Sequence, residues 1–294
     1  MAFGFSRASK INRSELTISD ARTHLEKSIE LNPEFTEAHY HLALLLKEQG
    51  QIKEARRHLQ KVIEIDQDYA EGHFQLALML HEMGDSDEAR NHYQKTIDLD
   101  SHHAGAHYHL ALLLEQQEEY VEAKNHLEKA TDIDQNFTGA YYRLARLLRD
   151  SDDYDAAKKN YQMAVDIDGS IADAHYYLGK LLAGGKRINE DGTQVVEPEH
   201  DLAKQHFLKA IELDENYFRA HFNLAKILAT EADFTNAELH YHKALEINPD
   251  YAKAHFYLAL LLQDLGRLVP EEPVGQASPN PKPVTTAKSK RAGK

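Results

Sequence analysis

Cysteine is absent from the 294-residue chain. The protein therefore cannot form disulfides, bind zinc through thiolates or use a cysteine nucleophile. Long hydrophobic runs are missing too. No stretch approaches the roughly 20 apolar residues of a transmembrane helix, and the N-terminal segment lacks the apolar run of a secretory signal. We therefore expect a cytoplasmic protein.

The motifs of catalysis and cofactor binding are also missing. The sequence contains no HExxH pair, no glycine-rich phosphate loop and no nucleophile elbow. No separate domain is left over to carry chemistry. We therefore expect a protein that is not an enzyme and that holds neither a metal ion nor another cofactor.

Positive charge is scarce except at the C-terminus. The net charge is −14, and residues 270–294 carry +3, from five basic and two acidic side chains, which leaves −17 for the rest. Such an acidic body repels nucleic acids and anionic membranes. We expect neither as a partner of the folded part, and only the basic tail leaves nucleic acid open as a partner.

The dominant feature of the sequence is an internal repeat of 34 residues. Alanine recurs at this spacing in two columns, and in each column the spacing rises once to 46, so one repeat carries 12 additional residues. The first column is Ala43, Ala77, Ala111, Ala145, Gly179, Ala225 and Ala259, and the second is Ala21, Ala55, Ala89, Ala123, Ala157, Ala203 and Ala237.

Each repeat has the hydrophobic pattern of two amphipathic helices. Leu42, Ala43 and Leu46 share one helical face in the first unit. Beyond a short turn, Leu59 and Val62 belong to a second apolar stripe. Neither helix can bury its stripe alone, so neighbouring units are expected to stack around a continuous core.

This pattern resembles the tetratricopeptide repeat, which reads Trp-x2-Leu-Gly-x2-Tyr, then Ala-x3-Phe, then Pro. The unit that starts at Thr36 reads His39-x2-Leu42-Ala43-x2-Leu46, then Ala55-x3-Leu59. Histidine replaces the first aromatic residue, leucine replaces the third, and most terminal prolines are lost. The resemblance implies an all-α fold, a right-handed α-solenoid of helix-turn-helix repeats.

The columns predict six full units and a half unit at each end. Full units are expected at 36–69, 70–103, 104–137, 138–171, 172–217 and 218–251. A lone second helix at 20–31, with Ser19 or Asp20 as N-cap, precedes them, and a lone first helix follows at 252–265. The chain thus divides into an N-terminal extension at 1–19, the solenoid at 20–267 and a tail at 268–294.

The additional residues of the fifth unit lie at about 184–200. Asp191-Gly192 between short β-prone stretches predicts a small hairpin. The insertion either marks a binding face or is a tolerated surface loop. The tail is proline-rich and then basic, which predicts disorder.

The last helix presents an apolar stripe, including Leu258 and Leu262, that no second helix follows. Two alternatives remain open. Either Leu265, Leu268 and Val269 fold back over this face, or the open ends join copies, which would make the protein a structural assembly subunit.

In the resembled family, first helices line a concave groove through the second, fifth, sixth, ninth and twelfth positions of each unit. Here the fifth position is aromatic in every copy, and the ninth changes from leucine to basic after three units. With nearby arginines, the predicted partner-binding residues are Tyr40, Leu44, Phe74, Leu78, Tyr108, Leu112, Tyr142, Arg143, Arg146, Arg149, Tyr176, Lys180, Arg219, Phe222, Lys226 and Phe256. Alternatively, the aromatic residues are core and the charged residues a solvated face.

An aromatic, centrally basic groove predicts a scaffold or adaptor that binds a protein or peptide with apolar and acidic side chains. The family's carboxylate clamp fits poorly, because the fifth position is aromatic and the required asparagine pair is missing. Its asparagine ladder at the sixth position matches only at Asn223. Self-assembly through the ends, and nucleic-acid association through the tail, are the alternative functions.

Most of the 19 histidines fall in two columns, at the fourth and twenty-third positions of the repeat. Members of one column lie a whole repeat apart, too far to share a metal ion, so we expect a structural role. If half-buried and neutral, they have a pKa below the ~6.5 of an unfolded chain. Stability is then lost as the pH falls.

Overall fold

The computed structural model describes residues 7–184 and 198–266, with side chains from residue 19 onward. Within these ranges the chain forms fourteen α-helices and no strand. They are α1 (Arg7–Leu31), α2 (Thr36–Glu48), α3 (Ile52–Ile65), α4 (Ala70–Met83), α5 (Ser86–Leu99), α6 (Ala104–Gln116), α7 (Tyr120–Ile133), α8 (Thr138–Asp150), α9 (Tyr154–Ile167), α10 (Ala172–Leu182), α11 (His200–Leu213), α12 (Phe218–Thr230), α13 (Phe234–Ile247) and α14 (Ala252–Asp264). The predicted hairpin and the tail at 268–294 lie outside the described residues.

The chain divides into two compact units, Met1–Asn216 with α1 to α11 and Tyr217–Lys294 with α12 to α14. Each full repeat pairs a first helix with the helix that follows it, from α2 with α3 to α12 with α13. Within each unit, a second helix also packs against the first helix of the next repeat, less extensively. These contacts confirm the predicted all-α array of six full repeats with a half repeat at each end.

Columns of small residues bring the two helices of a repeat close together. At position 20, the alanines of all six full repeats have no exposed surface. A column of large side chains at position 24 is also buried, namely Leu59, Tyr93, Leu127, Tyr161, Phe207 and Tyr241. Small and large side chains therefore interlock between the helices, as ridges fit into grooves.

The turn inside each repeat requires one residue with a left-handed backbone. Gly50, Gly84, Gly184 and Gly266 supply it, with φ between 73° and 87° for the first three and 63° for the last. The corresponding residues Glu118, Asp152 and Ala232 also have positive φ, although they carry a Cβ. Glycine adopts this conformation readily, whereas other residues do so at a cost.

The turn between repeats is closed by a carboxylate or amide side chain. At position 31, its Oδ1 accepts a hydrogen bond from the backbone N–H two residues later, over 2.9 to 3.3 Å. The residues are Asn32, Asp66, Asp100, Asp134, Asp168, Asp214 and Asn248. This Asx-turn ends each second helix and starts the next repeat.

Histidine pairs connect the two helices of five full repeats. In each pair, Nδ1 of the fourth-position histidine lies 2.9 Å from Nδ1 of the twenty-third-position histidine. The pairs are His39–His58, His73–His92, His107–His126, His175–His206 and His221–His240. In the fourth repeat both positions change together, to Tyr141 and Asn160. The columns therefore have a structural role.

The backbone fixes the tautomers of these pairs. Nε2 of His39 lies 3.0 Å from the carbonyl oxygen of Pro33. A carbonyl only accepts, so Nε2 carries the proton, and Nδ1 of His39 accepts from the Nδ1–H of His58. This pairing between the two columns was not predicted, although a spacing of 19 residues between paired histidines recurs along the chain.

The first helix begins earlier than the sequence predicted. Helix α1 begins at Arg7 rather than at residue 20, so the proposed N-cap at Ser19 or Asp20 is wrong. Thr23 Oγ1 donates to the carbonyl oxygen of Ser19 over 2.9 Å, as in the interior of a helix. No helix in the described ranges is long and apolar enough to cross a membrane.

Candidate functional site

Polar contacts between consecutive first helices build the candidate groove of the first unit. They join the twelfth position of one helix to the sixth position of the next. Arg143 on α8 lies 3.4 Å from Glu115 on α6. Arg149 on α8 lies 4.1 Å above the ring of Tyr177 on α10, a cation–π contact.

The Glu115–Arg143 pair is largely shielded from solvent. The Glu115 side chain is 12% exposed, the Arg143 side chain is 34% exposed, and Glu115 Oε1 has no hydrogen-bond partner among the described residues. A carboxylate so placed offsets the charge of Arg143. Arg143 is therefore less available to a partner than the sequence predicted.

An uncharged histidine lies further along the same surface. His109 on α6 stacks on Tyr93 with ring centroids 6.0 Å apart, and it contacts Phe74 at 5.8 Å. Burial lowers the pKa of His109 to about 4, so the ring is neutral at pH 7. Glu115, His109 and Tyr177 were not among the predicted site residues, although the family resemblance implied the sixth and twelfth positions.

The aromatic residues of the fifth position pack largely between repeats. Phe74, Tyr176 and Phe222 are buried, so they support the first helices and offer little surface to a partner. Tyr40, Tyr108 and Tyr142 are half-buried. Their exposed edges are the part of this column that a partner of the first unit could reach.

Tyr142 also has a polar contact. Its hydroxyl donates to Asp173 over 3.4 Å, and burial, reinforced by the Asp173 carboxylate, raises the pKa of Tyr142 to about 12. The hydroxyl therefore remains a hydrogen-bond donor at physiological pH.

The ninth position changes character between α6 and α8. Leu44, Leu78 and Leu112 are half-buried and form an apolar strip on α2, α4 and α6. Arg146 occupies the equivalent position on α8, and no ion pair to it occurs in the described part of the chain. Arg149, in contrast, has a carboxylate partner, because Nη2 lies 2.7 Å from Asp150.

The basic residues that remain lie over aromatic rings. In the first unit, exposed Lys180 has its Nζ 5.8 Å from the centroid of the Tyr176 ring. In the second unit, Lys226 Nζ lies 5.1 Å from the ring of Tyr257. Arg219 is exposed, 5.4 Å from the ring of Phe218. Each cation is held against an aromatic face.

Phe256 is the most exposed aromatic residue of the fifth-position column, because α14 is followed by no further described repeat.

Across residues 19–184 and 198–266, no three histidine or acidic side chains converge as metal ligands.

Comparison with known proteins identifies the family. Profiles of the tetratricopeptide repeat match residues 17–78, 80–148, 114–181 and 218–251. No curated protein matches the chain in sequence. One similar solved structure is that of YrrB, described as a tetratricopeptide-repeat protein with an unusual peptide-binding site. It is 26% identical in sequence, the alignment covers 68% of this chain and 96% of the YrrB chain, and the TM-score is 0.58.

Two further structures share the fold at lower identity. The Pseudomonas aeruginosa protein pilF is 18% identical over 76% of this chain and 97% of its own, with a TM-score of 0.59. The C-terminal part of a repeat-containing protein from Cytophaga hutchinsonii is 15% identical over 86% and 98%, with a TM-score of 0.60. With its profile matches extending over more than half of the sequence, the chain belongs to the tetratricopeptide-repeat family.

Proposed function

We propose that the chain is a protein-binding scaffold whose first unit binds a partner segment with apolar side chains followed by acidic ones. Tetratricopeptide repeats are generally non-catalytic interaction modules. The observation that carries the proposal is the ninth position, where three half-buried leucines are followed by Arg146, a cation with no ion pair in the described residues.

Charge supports the same preference. The protein as a whole has a net charge of −14, so an acidic segment is repelled by most of its surface. Arg146 offers a planar fork of donors that fits a carboxylate in two parallel hydrogen bonds. A partner with its acidic residues at Arg146 and its apolar residues at Leu78 and Leu112 satisfies both parts of the surface. YrrB, which is 26% identical, is described as having an unusual peptide-binding site, and this supports a peptide segment as the partner.

The test is a selection from a displayed peptide library, followed by affinity measurements on the selected peptides. We expect selected peptides to carry apolar residues followed by Asp or Glu. Arg146→Glu should weaken their binding about tenfold or more, which corresponds to about 1.4 kcal/mol. Arg57→Glu is the matched control, because Arg57 is an exposed arginine on the second helix α3.

The two variants separate a local effect from a change in total charge. Both change the net charge by −2, so a general electrostatic effect would weaken binding equally. Equal affinities for the wild type and Arg146→Glu, or selected peptides without acidic residues, would overturn the proposal. Circular dichroism of each variant checks that the helices are retained.

A further inference from the structure

The two ends of the described array are the two halves of one repeat. Helix α1 has the pattern of a second helix, and no first helix precedes it in the described residues. Helix α14 is a first helix, and no described second helix follows it. The two helices of a repeat contact each other more extensively than helices of consecutive repeats do. Helices α1 and α14 therefore each lack the helix that would make their more extensive contact.

The uncovered face of α1 carries the residues that a first helix normally covers. Ala21 is exposed, whereas the six equivalent alanines, from Ala55 to Ala237, have no exposed surface. His24 occupies the twenty-third position of the repeat and is exposed, whereas its equivalents in the five histidine pairs are half-buried. Both residues lie on the side of α1 that faces no other described helix.

The uncovered face of α14 carries the matching residues. Ala259 is exposed, whereas Ala43, Ala77, Ala111, Ala145 and Ala225 are buried. His255 is exposed as well, and its Nε2 lies 2.8 Å from the carbonyl oxygen of Pro249. This contact fixes the proton on Nε2, as in His39, and leaves Nδ1 as an acceptor with the role that it has in the paired histidines.

Two aromatic residues form a second complementary pair. Between consecutive repeats, the fifth-position ring packs on the ring that precedes the next first helix, with centroids 5.5 Å apart for Tyr40–Tyr69 and 5.1 Å apart for Phe222–Tyr251. Phe35 precedes the first such helix and is 41% exposed, and Phe256, on the last such helix, is 59% exposed. Phe256 therefore lacks the ring that would precede a next first helix, and Phe35 lacks the fifth-position ring of a preceding one. Each residue could be the missing partner of the other.

The repeat columns of a second helix do not continue beyond α14 in the sequence. One repeat length after Ala237, His240 and Tyr241, the residues are Glu271, Val274 and Gly275. At the other end, α1 runs without interruption through residue 16, which is the position of the internal turn in five of the six full repeats. The residues that complement each open face are present at the opposite end of the same sequence, and a second copy would therefore carry them.

We propose that copies of the chain associate head to tail, with α14 of one copy packed against α1 of the next. Together the two helices form a complete repeat. Ala259 meets Ala21, Nδ1 of His255 accepts a hydrogen bond from His24, and the ring of Phe256 covers Phe35. Such a contact joins different surfaces of the two copies, so it produces either an open-ended filament or a closed ring.

Sedimentation velocity of the full chain over a range of concentrations tests the association. The wild type should gain mass in steps of one chain. Ala21→Glu and Ala259→Glu should each stay monomeric, because either variant places a charge in the joined face. Both sites are exposed in the single chain, so each variant should keep the helical circular dichroism spectrum of the wild type. Leu208→Glu, at an exposed leucine on α11, is the control and should associate like the wild type.

Mixing the two variants distinguishes head-to-tail association from any other contact. Ala21→Glu retains a functional α14, and Ala259→Glu retains a functional α1. An equimolar mixture should therefore form dimers and nothing larger, whereas each variant alone remains monomeric. A symmetric contact between like ends would instead let one variant dimerise alone, namely the variant in which the self-associating end is intact.

Single-cysteine variants locate the contact, since the chain has no cysteine of its own. His24→Cys mixed with His255→Cys should be linked by a short bismaleimide into a mixed dimer, and an Arg57→Cys control should not. A wild type that stays monomeric at high concentration would overturn the proposal in favour of coverage by residues 267–294 of the same chain. Association that persists in both glutamate variants would overturn it as well.

Discussion

Gly84 and Ala232 occupy the same position in two repeats, and both have positive φ, at 87° and 61°. An alanine in this conformation brings its Cβ close to the following carbonyl oxygen, which costs about 1 kcal/mol. A Cβ built at Gly84 meets no other atom within 4 Å. Substitution there therefore changes the backbone preference and removes no packing contact.

We expect Gly84→Ala to lower the free energy of unfolding by about 1 kcal/mol and Ala232→Gly to raise it by up to about 1 kcal/mol. Urea denaturation followed by circular dichroism measures both. Gly50→Ala is a second test of the first effect, because its Cβ would also meet nothing. A Gly84→Ala variant as stable as the wild type would show that this turn tolerates alanine without strain.

Helices α10 and α11 show how packing between elements can overrule a repeat pattern. Position 8 is alanine in every other copy, but it is Gly179 on α10. A Cβ at Gly179 would lie 2.9 Å from Cε1 of the Phe207 ring on α11. Phe207 has no exposed surface, so the ring has little room to move away.

Gly179→Ala should therefore destabilise the protein by about 1–2 kcal/mol, because the clash outweighs the better helix propensity of alanine. Gly179→Ala combined with Phe207→Leu should lose less than the sum of the two single changes, since leucine occupies this position in α3 and α7. Thermal and urea unfolding of the four proteins in the cycle measure the coupling. A stabilising single change would mean that helix propensity dominates.

Across the whole molecule, the histidine pairs make stability depend on pH. Burial and the neighbouring histidine lower the pKa of His58, His92, His126, His206 and His240, to about 4 for His126 and His206. Burial also lowers the pKa of His73, His107 and His175. The unfolded chain, with pKa values near ~6.5, therefore binds more protons than the folded chain below that pH.

The contribution of these histidines is thus fully present above about pH 6.5 and is lost as the pH falls toward about 4. His103 acts in the opposite sense, because the Glu71 carboxylate, 3.2 Å away, raises its pKa. The eight paired histidines with lowered pKa, together with His109, outweigh this one.

We expect the melting temperature to fall between pH 8 and pH 5.5. Each excess proton bound by the unfolded chain lowers the free energy of unfolding by about 1.4 kcal/mol per pH unit. A His73→Tyr/His92→Asn variant, which has the residues of the fourth repeat, should show a smaller decrease. Differential scanning calorimetry at several pH values measures both, and equal pH dependence of the two proteins would exclude the pairs as its source.

The family and the number of repeats were predictable from the sequence, because columns such as Ala43 and Ala77 recur at a fixed spacing wherever two helices must approach closely. The start of α1 was not predictable, since the helix continues without interruption from Arg7 past Ser19. Glu118, Asp152 and Ala232 at the left-handed turn were equally hidden, because the surrounding helices impose a conformation that their side chains do not favour.

The candidate groove was predicted only in outline. The sequence by itself determined the columns of aromatic, apolar and basic residues, since each position of a repeat faces a fixed direction. Only the tertiary structure decided which members a partner could reach. Phe74 and Tyr176 are covered by neighbouring helices, and Arg143 is paired with Glu115 from the preceding repeat, whereas Arg146 has no ion pair in the described residues. Burial and pairing depend on side chains brought together from different repeats, which spacing along one chain does not reveal.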